Sequence, residues 1–256
     1  SYTEKDLLKY RDNGVEIKYT WVETAVPAGY ILESNVTNAK VTTIPNKATE
    51  VNIDKVDITG EKELPGAKLQ ILLEGSVVYE WTSTDKPHKI SGLDTGVTYT
   101  LHEEVGPEGY KVTGDTDFRI GTDGKVQYNG KTDTKGVLLV MDEPTSVKIK
   151  KVDITDQHEL EGAELWIYDS KGKAVTHWIS EKTEKEIKNL KVDEDYTLVE
   201  KVPAPGYTVT TSTSFRIDKY GNVTYTGTTQ QPSGILLVED APTETYVTKL
   251  DEDGYK

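Results

Sequence analysis

Few side chains in this sequence can do chemistry, and most of those that can stand alone. None of the 256 residues is cysteine, which excludes disulfides, thiolate metal sites and a cysteine nucleophile or thioester. The four histidines, His88, His102, His158 and His177, never come together in the sequence. His102 and His177 stand beside strand-type residues and read as surface or edge histidines rather than metal ligands. The closing DEDGYK imitates part of a calcium loop, but lacks the repeated D-x-D-x-D-G spacing and the distant glutamate, and reads as a turn. No G-x-S-x-G elbow, phosphate loop or pair of catalytic carboxylates occurs. No metal, cofactor or turnover enzyme is therefore expected. What remains are carboxylates that recur: Glu103 and Glu200 in YTLHEE and YTLVEK, Asp142 and Asp240 closing GVLLVMD and GILLVED. Read from the residues alone, the two glutamates could simply hydrogen-bond a turn.

Their recurrence belongs to a repeat of the whole chain, and such a repeat decides the fold before any local reading does. KVDITGEKELPGA begins at Lys55 and KVDITDQHELEGA at Lys151, 96 residues on (151 − 55). The YTL blocks begin at Tyr99 and Tyr196, and the FRI blocks at Phe118 and Phe215, both 97 apart. Asp142 and Asp240 are 98 apart. A partial third copy comes first. YTWVETAVPAGY, from Tyr19 to Tyr30, matches the central block, and Asn46 stands nine residues before Lys55 as Asp142 stands nine before Lys151. The expected organisation is the C-terminal part of a unit over 1–49, full units over 50–145 and 146–242, and over 243–256 a linker with the first strand of a following unit.

Within a unit the pattern is all-β. Short runs rich in Val, Thr, Tyr and Ile recur every 8 to 15 residues, separated by turn signals at Pro65-Gly66, Asp94 to Gly96, Pro107 to Gly109, Asp123-Gly124 and Tyr220-Gly221-Asn222. KAVTHWISEKTEKEIKNL could be a short helix, but its counterpart contains proline and threonines, so strand–loop–strand is expected. Strands this short and regular predict tandem β-sandwiches. The formal net charge of −14 (30 Lys and Arg against 44 Asp and Glu) excludes nucleic acid as a partner, because its phosphates would be repelled. No run approaches the ~20 apolar residues of a membrane helix. The sequence shows no secretion signal, sorting signal or anchor, and it reads as a piece of a larger exported protein.

The blocks K-x-D…E-L-x-G-A, Y-T-L-x-E…P-x-G-Y, F-x-I…G-x-V and the closing aspartate before P-T resemble the CnaB or SpaA-type domains of Gram-positive surface proteins and pilins. These are also called collagen-binding-protein B-repeats, with a prealbumin-like (Ig-like) sandwich fold. The resemblance covers residues 50–242 well. It implies an intramolecular isopeptide bond: a lysine on the first strand attacks an aspartate or asparagine on the last strand, assisted by a glutamate of the central block. Such chemistry needs burial. An exposed lysine, with a pKa of ~10.4, is protonated and not nucleophilic, whereas apolar surroundings disfavour charge and keep a carboxylic acid neutral and able to donate.

Mapped onto the second full unit, the resemblance gives Lys148 as nucleophile, Asp240 as acceptor and Glu200 as assisting acid. Lys148 alternates with Val147 and Ile149, so it faces outward if those two face the core; the sequence does not say which face is buried. In the first full unit the matching positions are Asn52, Glu103 and Asp142. Asparagine cannot be the nucleophile, so no bond is expected there unless a neighbour such as Lys55 replaces it, and Lys55, three residues on, falls on the other strand face. In the partial unit Glu23 and Asn46 match the acid and the acceptor, with no lysine identified. Tyr30, Tyr110 and Tyr207 share one repeat position and read as core or corner packing.

The function implied is structural: a stalk or shaft segment of a cell-wall-attached surface adhesin or pilin of a Gram-positive bacterium. Its partners would be neighbouring domains of the same surface protein or pilus. The alternative is a module that binds a host matrix protein or glycan, for which Trp81 and Trp178 would be candidates. Both tryptophans occupy one repeat position in W-x-S, which fits a shared core role better.

Overall fold

The computed structural model describes residues 2–38, 41–226, 234–250 and 252–254. Every regular element among them is a strand. The N-terminal segment carries β1 (Tyr30–Leu32), β2 (Val36–Asn38), β3 (Val41–Thr43) and β4 (Asn46–Ala48). The first full unit carries β5 (Glu50–Asp57), β6 (Lys68–Leu73), β7 (Ser76–Thr82), β8 (His88–Ser91), β9 (Thr98–Val105), β10 (Thr116–Ile120), β11 (Val126–Tyr128), β12 (Lys131–Thr132) and β13 (Leu138–Asp142). The second carries β14 (Ser146–Asp153), β15 (Glu164–Tyr168), β16 (Ala174–Ile179), β17 (Lys185–Lys188), β18 (Asp195–Val202), β19 (Thr213–Ile217), β20 (Val223–Thr226) and β21 (Leu236–Asp240). The segment with a helical alternative is the strand–loop–strand of β16 and β17.

Each full unit is two sheets face to face. In the first, β11-β10-β9-β6-β7 packs on β12-β13-β5-β8; in the second, β16-β15-β18-β19-β20 packs on β17-β14-β21. Alternation builds the layers. Along β9 the side chains of Tyr99, Leu101 and Glu103 are buried while their neighbours are not, and β18 repeats this with Tyr196, Leu198 and Glu200. Two separate cores result. Val51, Ile53, Leu69, Ile71, Phe118 and Leu138 belong to one, and Val147, Ile149, Leu165, Ile167, Phe215 and Leu236 to the other. Trp81 is buried in the first core, and Trp178 packs partly buried against the second. Tyr110 is buried, with its hydroxyl 3.0 Å from Lys62 Nζ, whereas Tyr30 is exposed.

The first and last strands of each unit lie side by side and parallel. β5 pairs β13 with Lys55 opposite Val140, and β14 pairs β21 with Lys151 opposite Val238. Beyond Asp240 the described tail forms no strand, and its residues are exposed. The turn read at DEDGYK falls partly outside the described residues, which lack Asp251, Tyr255 and Lys256.

The two units differ beside these strands. The second pairs Lys150 with Glu159 at 2.8 Å. At the matching positions the first sets Asp54 against Glu63, two carboxyls. Burial, followed by the hydrogen bond and charge of Asp54, pushes Glu63 up to about 7. A carboxyl raised in the fold binds its proton more tightly there than in the unfolded chain, so ionising it costs stability. The melting temperature of the first unit is expected to fall as pH rises from about 4.5 through about 7. Glu63→Gln should flatten that dependence, as followed by calorimetry.

Candidate functional site

In each unit a lysine, a glutamate and an aspartate meet inside the sandwich. β5 runs in extended geometry, so Val51, Ile53 and Lys55 share its inner face, and Lys55 is only 2% exposed. Asp142 lies two residues past Val140, the residue facing Lys55 on β13, so the pair are diagonal neighbours on one face of adjacent parallel strands. Glu103 comes from the opposite sheet. Lys55 Nζ touches Asp142 Oδ1 and stands 3.1 Å from Glu103 Oε1. Leu64, in the E-L-x-G-A loop, holds the lysine's backbone by donating its N–H to the Lys55 carbonyl at 2.8 Å.

The second unit repeats this geometry. Lys151 Nζ touches Asp240 Oδ1 and lies 3.0 Å from Glu200 Oε1, all three side chains being inaccessible to solvent. Leu160 N–H donates to the Lys151 carbonyl at 2.8 Å. The glutamates are oriented alike: Thr113 N–H donates to Glu103 Oε2 at 2.7 Å and Thr210 N–H to Glu200 Oε2 at 2.8 Å. That leaves each Oε1 turned toward the lysine and aspartate.

Burial pushes Asp142 up to about 8, against the pull of Lys55 and with the help of Glu103. The same balance, burial first, pushes Asp240 up to about 6. Apart from the lysine that touches it, no hydrogen-bond donor among the described residues reaches either aspartate. Removing three ionisable groups from water is expensive when their hydrogen bonds are so incomplete. An amine and two carboxyls so placed contain everything needed to form an amide. A cavity of about 260 Å³, lined in part by Glu103, Thr113, Gly114 and Tyr128, adjoins the first triad.

Glu200 and Asp240 meet in one unit and Glu103 and Asp142 in the other, and the lysine that joins each pair stands three residues past the matched position, at Lys151 and Lys55. Lys148 is on the outer face of β14, half exposed, paired with Glu184 at 2.6 Å. It cannot reach Asp240, because Val147 and Ile149 face the core and alternation turns Lys148 away from it. The first unit is corrected in the same way. Asn52 is exposed, and Lys55, read from the sequence as facing the wrong way, is the buried lysine. The signal was the parity of Val51-Ile53-Lys55 and Val147-Ile149-Lys151, which puts each lysine at the next core-facing position. In the N-terminal segment Asn46 Nδ2 donates to Glu23 Oε1 at 2.9 Å, so the matched acid and acceptor also meet. Lys148→Ala is expected to change the melting temperature of the second unit little, as followed by calorimetry, since solvent screens an exposed ion pair.

His158 lies with Asp153 and Asp156, their potential ligand atoms within 4.8 Å of one another. His102 pairs with Asp115 at 2.6 Å and His158 with Asp156 at 2.5 Å, while His88 and His177 stack on Trp81 and Trp166.

A sequence profile for the SpaA prealbumin-like fold domain matches residues 49–134 and again 145–231. No curated protein matches the sequence. Among solved structures, the Bacillus anthracis TIE protein aligns at 23% identity over 79% of this chain and 37% of its own, with a TM-score of 0.41. The pilus adhesin SpaC of Lactobacillus rhamnosus GG, in an open conformation, aligns at 17% identity over 94% of this chain and 38% of its own, TM-score 0.41. The shaft pilin SpaA of the same organism aligns at 16% identity over 78% of this chain and 99% of its own, TM-score 0.33. The chain spans under two fifths of the length of the first two.

Proposed function

From the premise that this chain belongs to the SpaA prealbumin-like fold domain family, we propose that it is a load-bearing segment of a cell-surface stalk or pilus shaft, and that each full unit locks itself with a Lys–Asp amide. The bonds are Lys55–Asp142, assisted by Glu103, and Lys151–Asp240, assisted by Glu200. The observation that carries this reading is the repeated, solvent-free contact of lysine, aspartate and glutamate.

The reaction balances within the triad. The neutral lysine amine attacks Cγ of the protonated aspartate. The glutamate, held by a threonine N–H, donates a hydrogen bond to the carboxyl oxygen on which charge develops. It then passes a proton to the departing hydroxyl and recovers one from the nitrogen. An amide forms and one water leaves. Packing supplies the alignment that would otherwise be a bimolecular encounter, worth ~7–11 kcal/mol of barrier in favourable cases. The event happens once per unit and is maturation rather than turnover.

The placement suits tension. Force entering at the head of β5 would pass through the Lys55 side chain to Asp142 and leave toward β14. The chain between them, spanning 87 positions (142 − 55), would stay out of the load path. Neighbouring units of the same surface protein or pilus are the natural partners, and the outer surface of a Gram-positive cell is the natural location.

Intact mass tests the reading. The chain should be lighter than its sequence by two waters, and peptide mapping should recover the pairs Lys55–Asp142 and Lys151–Asp240. Full sequence mass would refute the crosslinks.

A further inference from the structure

The boundaries between units carry a second repeated constellation. At the first boundary Thr49 is 1% exposed. Its N–H donates to the Gly29 carbonyl at 2.9 Å, its hydroxyl to the Leu93 carbonyl at 2.6 Å, and its own carbonyl accepts from Gly92 N–H at 3.1 Å. At the second, Thr145 is likewise 1% exposed. It bonds Gly109 at 3.0 Å, Leu190 at 2.6 Å and Asn189 at 3.1 Å in the same three ways. The glycine is required in both. It follows the proline of P-x-G-Y at positive φ, and a Cβ there would lie 2.6 Å from the Gly92 carbonyl oxygen, or 3.0 Å from that of Asn189. One threonine therefore ties the P-x-G-Y turn of one unit to a strand-connecting loop of the next.

The far end of the second unit holds half of this joint. Thr243 N–H donates to the Gly206 carbonyl at 2.8 Å, and its hydroxyl reaches the same oxygen at 2.9 Å. Thr243 is exposed, and nothing lies within 4 Å of where a Gly206 Cβ would stand. The spacing continues as well. Lys55 is six residues past Thr49, Lys151 six past Thr145, and Lys249 six past Thr243.

We infer that the Gly206–Thr243 face is a docking site for a further unit of this same fold, continuing in the chain, which presents a left-handed Gly or Asn followed by Leu, and that Lys249 is that unit's crosslinking lysine. The role of Lys249 rests on the crosslink reading; the docking face does not. Thr245, Val247 and Lys249 then take the inward places held by Val51, Ile53 and Lys55. Lys249 Nζ would bond the new unit's aspartate Cγ and release one water.

The test continues the chain from Lys249 with a second copy of residues 56–145. The absence of cysteine allows paired spin labels at introduced cysteines, Lys182→Cys with Thr134→Cys of either copy. The distance distribution across the new joint should be as narrow as that across Thr145. Gly206→Ala and Thr243→Val should each broaden it. The mass should fall short by three waters, and by two in Lys249→Ala. A broad distribution that neither substitution changes overturns the docking face. A mass deficit of only two waters with Lys249 intact overturns its role. If the two original units also keep full mass, the crosslink reading falls, and the label distances alone decide the joint.

Discussion

Lys151→Ala in the full chain is expected to restore one water to the mass and to lower the melting temperature of the second unit by on the order of 20 °C, with the first unit's transition unchanged. Lys151 and Asp240 are 89 residues apart (240 − 151). By analogy with a disulfide, closing a loop of that size removes ~4–5 kcal/mol of chain entropy from the unfolded state. For a unit of about a hundred residues each kcal/mol is worth ~4–8 °C. The substitution also leaves Asp240 and Glu200 facing each other in the core as two free carboxyls. Asp240, already held up near 6 by burial, loses the lysine that pulled it down. Its ionisation then opposes folding, so the variant should lose stability as pH rises through the raised value, where the crosslinked parent should not. Lys55→Ala is the mirror experiment for the first unit. The check is two-transition calorimetry with intact mass, and an unchanged melting temperature in a variant of full mass would remove the stabilising role.

Glu200→Ala and Glu103→Ala should each leave one unit uncrosslinked while keeping its lysine and aspartate in place. The glutamate stands beside the reacting atoms, and two effects are lost with it: the hydrogen bond to the developing oxyanion, worth ~10²–10³ in rate, and proton transfer, worth ~10²–10⁴. Glu→Gln retains a donor but cannot carry a proton, so it should form the bond more slowly than the parent and faster than alanine. Time-resolved mass after refolding from denaturant reads all three. Crosslinking of the alanine variants at the parent's rate would show the glutamate to be a packing residue only.

The sequence by itself determined the repeat, the all-β class and the strand pattern, and its family resemblance pointed to two of the three members of each triad. Tyr99-Leu101-Glu103 and Tyr196-Leu198-Glu200 set a glutamate at the third of three alternating positions whose other members are large and apolar, and in the structure all three are buried. Asp142 and Asp240 close runs of leucine and valine in the same way. The identity of the lysine was decided by the tertiary structure. Lys148, Lys150 and Lys151 crowd one strand, and alternation puts Lys151 on the face of Val147 and Ile149 without saying which strand lies beside it. The parallel register does say it: Lys151 opposite Val238 makes Asp240 its diagonal neighbour, while Lys148 is paired across to Glu186 of β17 and turned to solvent. The joints at Thr49 and Thr145 were invisible for a related reason. A threonine in a linker carries no signal in sequence, and only the close approach of two loop backbones from neighbouring units turns its hydroxyl and carbonyl into a clasp.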